Sequence, residues 1–138
     1  MSGDNNNETV QVKMVGDYIV EDEIGSGSYS KVWSGYHKLT NLPVAIKAIS
    51  QRKMKGDKKL KANLELEIKI MQGLKHPNVI RLYDVLTTEK HIYLILEYCS
   101  GGDLSKFRTS KGGAPLSESA ILPFILQLCK RLFYINVN

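Results

Sequence analysis

Two short stretches decide the fold: Gly25-Ser26-Gly27-Ser28-Tyr29-Ser30-Lys31-Val32 and, after an intervening turn, Val44-Ala45-Ile46-Lys47. The first has the form G-x-G-x-x-S-x-V and lies between two strand-like runs, 18–24 and 31–37. Glycines at 25 and 27 let the backbone approach a phosphate chain closely, with N–H groups free to bond its oxygens. Taken alone, the loop fits an ordinary glycine-rich hairpin turn equally well. A dinucleotide-binding fingerprint is disfavoured, because a helix must then follow the glycines so that its N-terminus meets the pyrophosphate. Here a strand follows, and the other phosphate loop, G-x-x-x-x-G-K-[ST], is absent.

Working outward, a turn at 39–43 feeds a third strand at 44–49, so the opening is a three-stranded antiparallel meander. Alternation puts Val44 and Ile46 on one side of that strand and Ala45 and Lys47 on the other. A small residue and a cation sharing a face suit a flat base beside a phosphate, although a lone lysine at a strand end usually snorkels to solvent. A basic linker, 51–59, leads to a predicted helix over 60–74, in which Leu60, Leu64, Ile68, Met71 and Leu74 recur at helical spacing. Gly73 and the His76-Pro77-Asn78 turn stop it. Glu67 is read near the middle of this apolar stripe, with Glu65 pointing nearly the opposite way. A carboxylate there is expensive to bury unless paired, and Lys47 is the obvious partner. The alternative is a helix rotated so that Glu67 reaches the rim.

Two further strands are predicted at 79–86 and 92–98, joined by the polar loop 87–90, and a fragmentary helical pattern follows Gly101-Gly102, with a run from 117 to about 133. The expected class is α+β: five antiparallel strands, one helix inserted after the third, then the start of a helical region.

With 138 residues the chain has room for one domain with a real core, and its 43% hydrophobic and 24% charged residues are those of a soluble globular protein. A net charge of +5 favours polyanions such as nucleotide phosphates, nucleic acid or acidic lipid without choosing among them. The densest basic run is Arg52, Lys53, Lys55, Lys58, Lys59 and Lys61. No Phe, Tyr or Trp lies between Tyr36 and Tyr83 to stack on bases, so the run reads as a solvated linker and nucleic acid is not an expected partner. Cys99 and Cys129 have no metal-ligand spacing to each other or to His37, His76 and His91, which argues against a zinc site or disulfide framework and for a reducing, cytoplasmic compartment. The polar start is no signal peptide, and the most apolar stretch, 121–128, is short and interrupted by Pro123, so no transmembrane segment is expected.

In order along the chain, the glycine loop, Val-Ala-Ile-Lys ending at Lys47, Glu67, and Glu97-Tyr98-Cys99-Ser100-Gly101-Gly102-Asp103-Leu104 resemble the N-terminal lobe and hinge of eukaryotic protein kinases. Gly16-Asp17-Tyr18, the Ile24-to-Ser30 segment and His76-Pro77-Asn78-Val79-Ile80-Arg81-Leu82 look most like the autophagy-initiating Ser/Thr kinases, the ULK-type family, in their plant form. The resemblance runs from about 15 to about 128. It implies a flexible tail at 1–14, a kinase N-lobe at 15–98, and a hinge with an incomplete start of the C-lobe at 99–138.

The resemblance also implies roles. Gly25, Gly27 and the Tyr29 tip cover the phosphates of ATP, with Ile24, Ser26 and Ser28 completing the cofactor-binding loop. Val32 and Ala45 sandwich the adenine, Lys47 holds the α- and β-phosphates, and Glu67 orients Lys47. Leu96 backs the adenine pocket, the backbone of Glu97 to Cys99 bonds the adenine edge, and Asp103 lies near the ribose. Met71 and Leu82 supply the N-lobe part of a packed spine. Trp33, directly after Val32, is expected to report nucleotide binding through its fluorescence.

Three departures qualify this. Ser30 replaces the third glycine. Neither a His-Arg-Asp loop nor an Asp-Phe-Gly motif occurs, so the general base and the principal magnesium ligand are missing; no catalytic residue is assigned, ATP binding is expected to be weak, and magnesium only in a full-length form. Pro123 sits inside an expected helix, and 133–137 reads as strand-forming, as though the end were a truncated or alternative terminus. Such an end should expose Leu104, Ile121, Phe124 and Leu128. The expectation is therefore the ATP-binding portion of a Ser/Thr kinase of the autophagy-initiation type that is catalytically incompetent alone. The alternative is a non-catalytic interaction or competitor module of an autophagy kinase complex. For either reading the resemblance implies partners among autophagy-initiation complex proteins and recruitment to autophagosomal membranes.

Overall fold

The strands order themselves around a single long ladder. In the computed structural model, which describes residues 11–77 and 79–100 together with 109, 112, 113, 115, 117–120, 122, 123 and 126, strands β1 (Met14–Val15), β2 (Tyr18–Ser26), β3 (Ser30–His37), β4 (Pro43–Ser50), β5 (Leu82–Thr87) and β6 (His91–Glu97) form one antiparallel sheet of order β1-β2-β3-β4-β6-β5. Between β4 and β5 come a short α1 (Gln51–Met54) and a long α2 (Lys58–Gly73).

The three-stranded meander, the single long helix and the last two strands match expectation, with boundaries shifted by up to three residues. The sheet has six strands rather than five. Sequence pattern missed β1 because two residues are too few to show alternation; Gly16 at φ +55° makes the turn that folds Met14 back against Ile19. Met14 therefore belongs to the sheet and not to the tail. Part of the expected linker is also ordered. Ser50 caps α1 by accepting from the Lys53 N–H, and Met54 is buried behind it.

Alternation along β4 divides the core into two. Val44 and Ile46, with Ile95 of β6, are almost wholly buried on one face, where Tyr18, Val20, Trp33, Leu86 and Tyr93 pack around them. Ile49 and Leu94 are buried on the other face with Met54 and Leu64, against Leu60, Ile68, Leu82, Val85, Ile92 and Leu96. That second face carries α2. Asp57 starts the helix by accepting from the Leu60 N–H at 2.9 Å. Gly35 is needed for close packing: a Cβ there would collide with the Ile19 carbonyl and meet Ile46 Cδ1 at 3.0 Å.

Leu122 and Leu126 are about half exposed, and Pro123 lies in helical backbone. Leu104, Ile121, Phe124, Leu128 and the strand expected at 133–137 lie outside the described residues. No helix among the described residues is long and apolar enough to cross a membrane.

Candidate functional site

Strand pairing carries one row of positions across the sheet: Gly25 lies opposite Val32, Val32 opposite Lys47, and Lys47 opposite Leu94. Ala45, two residues before Lys47, lies opposite Leu96. Paired residues point to the same side, so Val32, Ala45, Lys47, Leu94 and Leu96 all face α2. Between them and the helix is a cavity of about 520 Å³, lined by Lys47, Leu94 and Leu96 from the sheet, by Asn63, Leu66, Glu67, Ile70 and Met71 from α2, and by Leu74, Val79 and Ile80 beyond it. The structure thus brings Lys47, Glu67, Leu96 and Met71 to one cavity and puts Val32 and Ala45 on the same face. Leu82, opposite Leu96, packs on the core beneath.

Lys47 is half-buried here, and its ammonium has neither an ion-pair partner nor a hydrogen-bond acceptor among the described residues, where the ion pairs are Lys31–Glu23 and Lys38–Asp17. The expected pairing with Glu67 is therefore not made: both line the cavity, but Glu67 is exposed. Helical geometry explains the difference. The buried stripe is centred on Leu64 and Ile68, and Leu64 lies roughly 60° around the helix from Glu67 at about 100° per residue. Glu67 belongs to a second stripe, with Asn63, Leu66, Ile70 and Leu74, that faces the cavity and not the sheet. Leu66 and Ile70 are exposed apolar residues of this stripe that the sequence reading passed over, although their i, i+4 spacing was visible.

The glycine loop closes as a tight hairpin, with the Gly27 N–H donating to the Ser30 carbonyl at 2.8 Å. A Cβ at Gly25 would meet Val32 Cβ at 3.8 Å, and one at Gly27 would meet Ser30 Oγ at 3.8 Å, both ordinary contacts. Neither glycine has positive φ. Packing within the chain therefore does not demand glycine at either position. Ile24, Ser26, Ser28 and Tyr29 are exposed. The tip is tethered, since the Ser50 N–H donates to the Tyr29 carbonyl at 2.9 Å and Lys53 Nζ to the Ser28 carbonyl at 3.3 Å. Tyr29 borders a different cavity, on the sheet face away from Lys47. Trp33 lies on that face too, packed against Val44, Ile46 and Ile95, and does not look into the Lys47 cavity.

At the far end of β6, Glu97 is held to the segment before β5. Its N–H donates to the Arg81 carbonyl at 2.8 Å, and its carboxylate accepts from the Arg81 N–H at 3.1 Å. Tyr98 and Cys99 leave the sheet, and their backbone makes no hydrogen bond to another described residue; Cys99 is an exposed free thiol. Asp103 lies outside the described residues.

Residues 18–138 match the family described as the protein kinase domain. Among curated proteins, the serine/threonine-protein kinase ATG1b of Arabidopsis thaliana is 41% identical over 126 residues, which is 91% of this chain and 17% of that protein. The serine/threonine-protein kinase atg1 of Dictyostelium discoideum is 43% identical over 131 residues, 91% of this chain and 19% of that protein. ATG1 of Komagataella pastoris is 44% identical over 99 residues, 72% of this chain and 12% of that protein. The chain thus spans less than a fifth of the length of these relatives. With the domain match running from the first long strand to the last residue, and a sheet-and-helix arrangement in keeping with it, the chain belongs to the protein kinase domain family.

Proposed function

We propose that this chain is the ATP-binding portion of a Ser/Thr protein kinase of the autophagy-initiating type, and that alone it transfers no phosphoryl group. One observation carries the first half: Lys47 is a half-buried cation with no acceptor among the described residues. Removing a charge from water without a partner is unfavourable, and a polyphosphate supplies the missing anion. The surroundings favour the same ligand. Gly25 is in register beside Val32 and Lys47, at a position where packing within the chain does not demand glycine, and the Tyr98–Cys99 backbone is available to the edge of a base. The relatives' names supply the Ser/Thr class.

The second half rests on chemistry absent from these 138 residues. Phosphoryl transfer relies on positioning and on metal ions that neutralise the developing charge. Neither His-Arg-Asp nor Asp-Phe-Gly occurs in the chain, so it has no base for the substrate hydroxyl and no principal magnesium ligand of that kind. The same reading gives a cytoplasmic setting and partners among the proteins of an autophagy-initiation complex.

Titration of the full chain with a fluorescent ATP analogue tests the binding. Saturable, weak binding that falls about tenfold or more in Lys47→Met is expected, as for loss of a charge-assisted contact. Equal binding by the variant overturns the assignment. Mg-ATP-dependent phosphorylation of a protein substrate by the purified chain, abolished by Lys47→Met, overturns the claim of incompetence.

A further inference from the structure

We propose that the two cavities meeting at Ser50 and His91 form one continuous docking groove for an acidic protein segment that carries an apolar anchor residue. The larger cavity, about 790 Å³, lies between the α1–α2 connection and the β5–β6 turn. Its walls hold Arg52, Lys55, Lys58, Lys61 and Lys90 against only Asp57 and Glu89. Asp57 is already engaged in capping α2. The smaller cavity, about 340 Å³, lies on the sheet face away from Lys47; Lys13, Lys31 and Lys53 line it, and no acidic residue does. Its floor is apolar and aromatic, formed by Val20, Trp33, Ile46 and Tyr93, with the Lys13 ammonium 4.2 Å from the centre of the Trp33 ring. Ser50 and His91 line both cavities.

Three observations point to an acidic peptide. First, the positive charge is not placed for folding. Lys58, Lys59 and Lys61 occupy the first turn of α2, which has no acidic residue, so they oppose the helix dipole that Asp57 complements. Among the described residues, Lys31 is the one groove cation with an ion-pair partner, Glu23 at 3.8 Å. Second, the frame is fixed: the Gln51 N–H donates to the Lys90 carbonyl at 2.9 Å, tying α1 to the β5–β6 turn and holding the larger cavity open between them. A cavity of this size exceeds what a single small anion fills and falls in the range of ligand sites. Third, the groove changes character along its length, from charged at one end to aromatic-floored at the other. An extended acidic segment with one buried apolar side chain matches that sequence of environments. Single-stranded nucleic acid would need aromatics along the basic part, and no Phe, Tyr or Trp lines the larger cavity. An acidic lipid surface would need a flat or convex basic face instead of a concave one.

The groove is separate from the Lys47 cavity, so the inference does not rest on nucleotide binding. It is tested with the full chain and a fluorescein-labelled Asp/Glu-rich peptide bearing one central Leu, compared with the same peptide bearing Ala there. Saturable anisotropy is expected that weakens with salt, with a shift in the emission of Trp33, the single tryptophan, on binding the Leu peptide only. The Lys58→Glu/Lys61→Glu pair should weaken binding about tenfold or more, and the milder Lys58→Gln/Lys61→Gln pair should weaken it less. The proposal is overturned by the absence of saturation, by affinity that changes less than about twofold in the charge-reversed chain, or by equal affinity for both peptides. Tighter binding to a single-stranded oligonucleotide or to phosphatidylserine vesicles overturns it as well.

Discussion

Glu67→Gln should barely change the stability of the ligand-free chain. Had the carboxylate been buried against Lys47, removing its charge would strand a buried ammonium and cost about 3–5 kcal/mol. Instead Glu67 is exposed and makes no ion pair among the described residues, and Gln is isosteric with nearly the same helix propensity, so the expected change is within about 0.5 kcal/mol. Leu94→Ala is the matched control. Leu94 sits directly opposite Lys47, is 2% exposed, and packs with Ile49, Met54 and Leu64, so its truncation should cost about 2–5 kcal/mol. Urea unfolding followed by circular dichroism measures both, and a double-mutant cycle with Lys47→Met should give a coupling near zero without nucleotide. A loss of about 3 kcal/mol or more in Glu67→Gln, or a coupling above about 1 kcal/mol, would refute the reasoning. Either result would mean that the pair is closed in solution.

Gly35→Ala should destabilise by about 1–3 kcal/mol, because its Cβ meets the Ile19 carbonyl, whereas Gly73→Ala, with open space around it at the end of α2, should stabilise by roughly 0.5–1 kcal/mol; thermal unfolding separates the two signs. Asp57→Ala removes the α2 cap and should cost about 1 kcal/mol by the same measurement. Asp17 donates no proton to its pair: its carboxylate accepts from Lys38 Nζ at 2.6 Å, and that bond holds its pKa below the ordinary carboxylate value. Because the folded value is the lower one, the contribution is present above the unfolded pKa of about 3.9 and disappears as pH falls through the folded value. Asp17→Asn should therefore flatten the acid limb of a melting-temperature profile, and the difference from the parent chain should shrink in high salt.

The meander, the helix and the last two strands were readable because their cues are local. Period-two alternation fixes which face Val44, Ile46 and Lys47 take, and helical spacing fixes α2. What failed depends on distance or on angle. β1 exists only because β2 is there to pair with it. The orientation of Glu67 turns on which of two overlapping apolar stripes meets the sheet, and a periodicity count does not separate stripes that share Leu74. Tyr29, at the tip of the hairpin, could be assigned to a loop but not to a side, whereas alternation along β3 already puts Trp33 on the face opposite Val32. The basic run reads as a solvated linker when its residues are counted along the chain; folding gathers Arg52, Lys55, Lys58 and Lys61 with Lys90 around a concavity.

The tethering of the glycine hairpin has a mechanical consequence. Ser50 holds the Tyr29 carbonyl through its N–H while its hydroxyl accepts from the Lys53 N–H, and the Lys53 ammonium reaches back to the Ser28 carbonyl. The tip is thus tied twice to the start of α1, once at Ser50, which lines both basic cavities, and once at Lys53, which lines the smaller one. An anion that drew Lys53 toward itself would remove one of these two ties and leave the tip held through Ser50 alone.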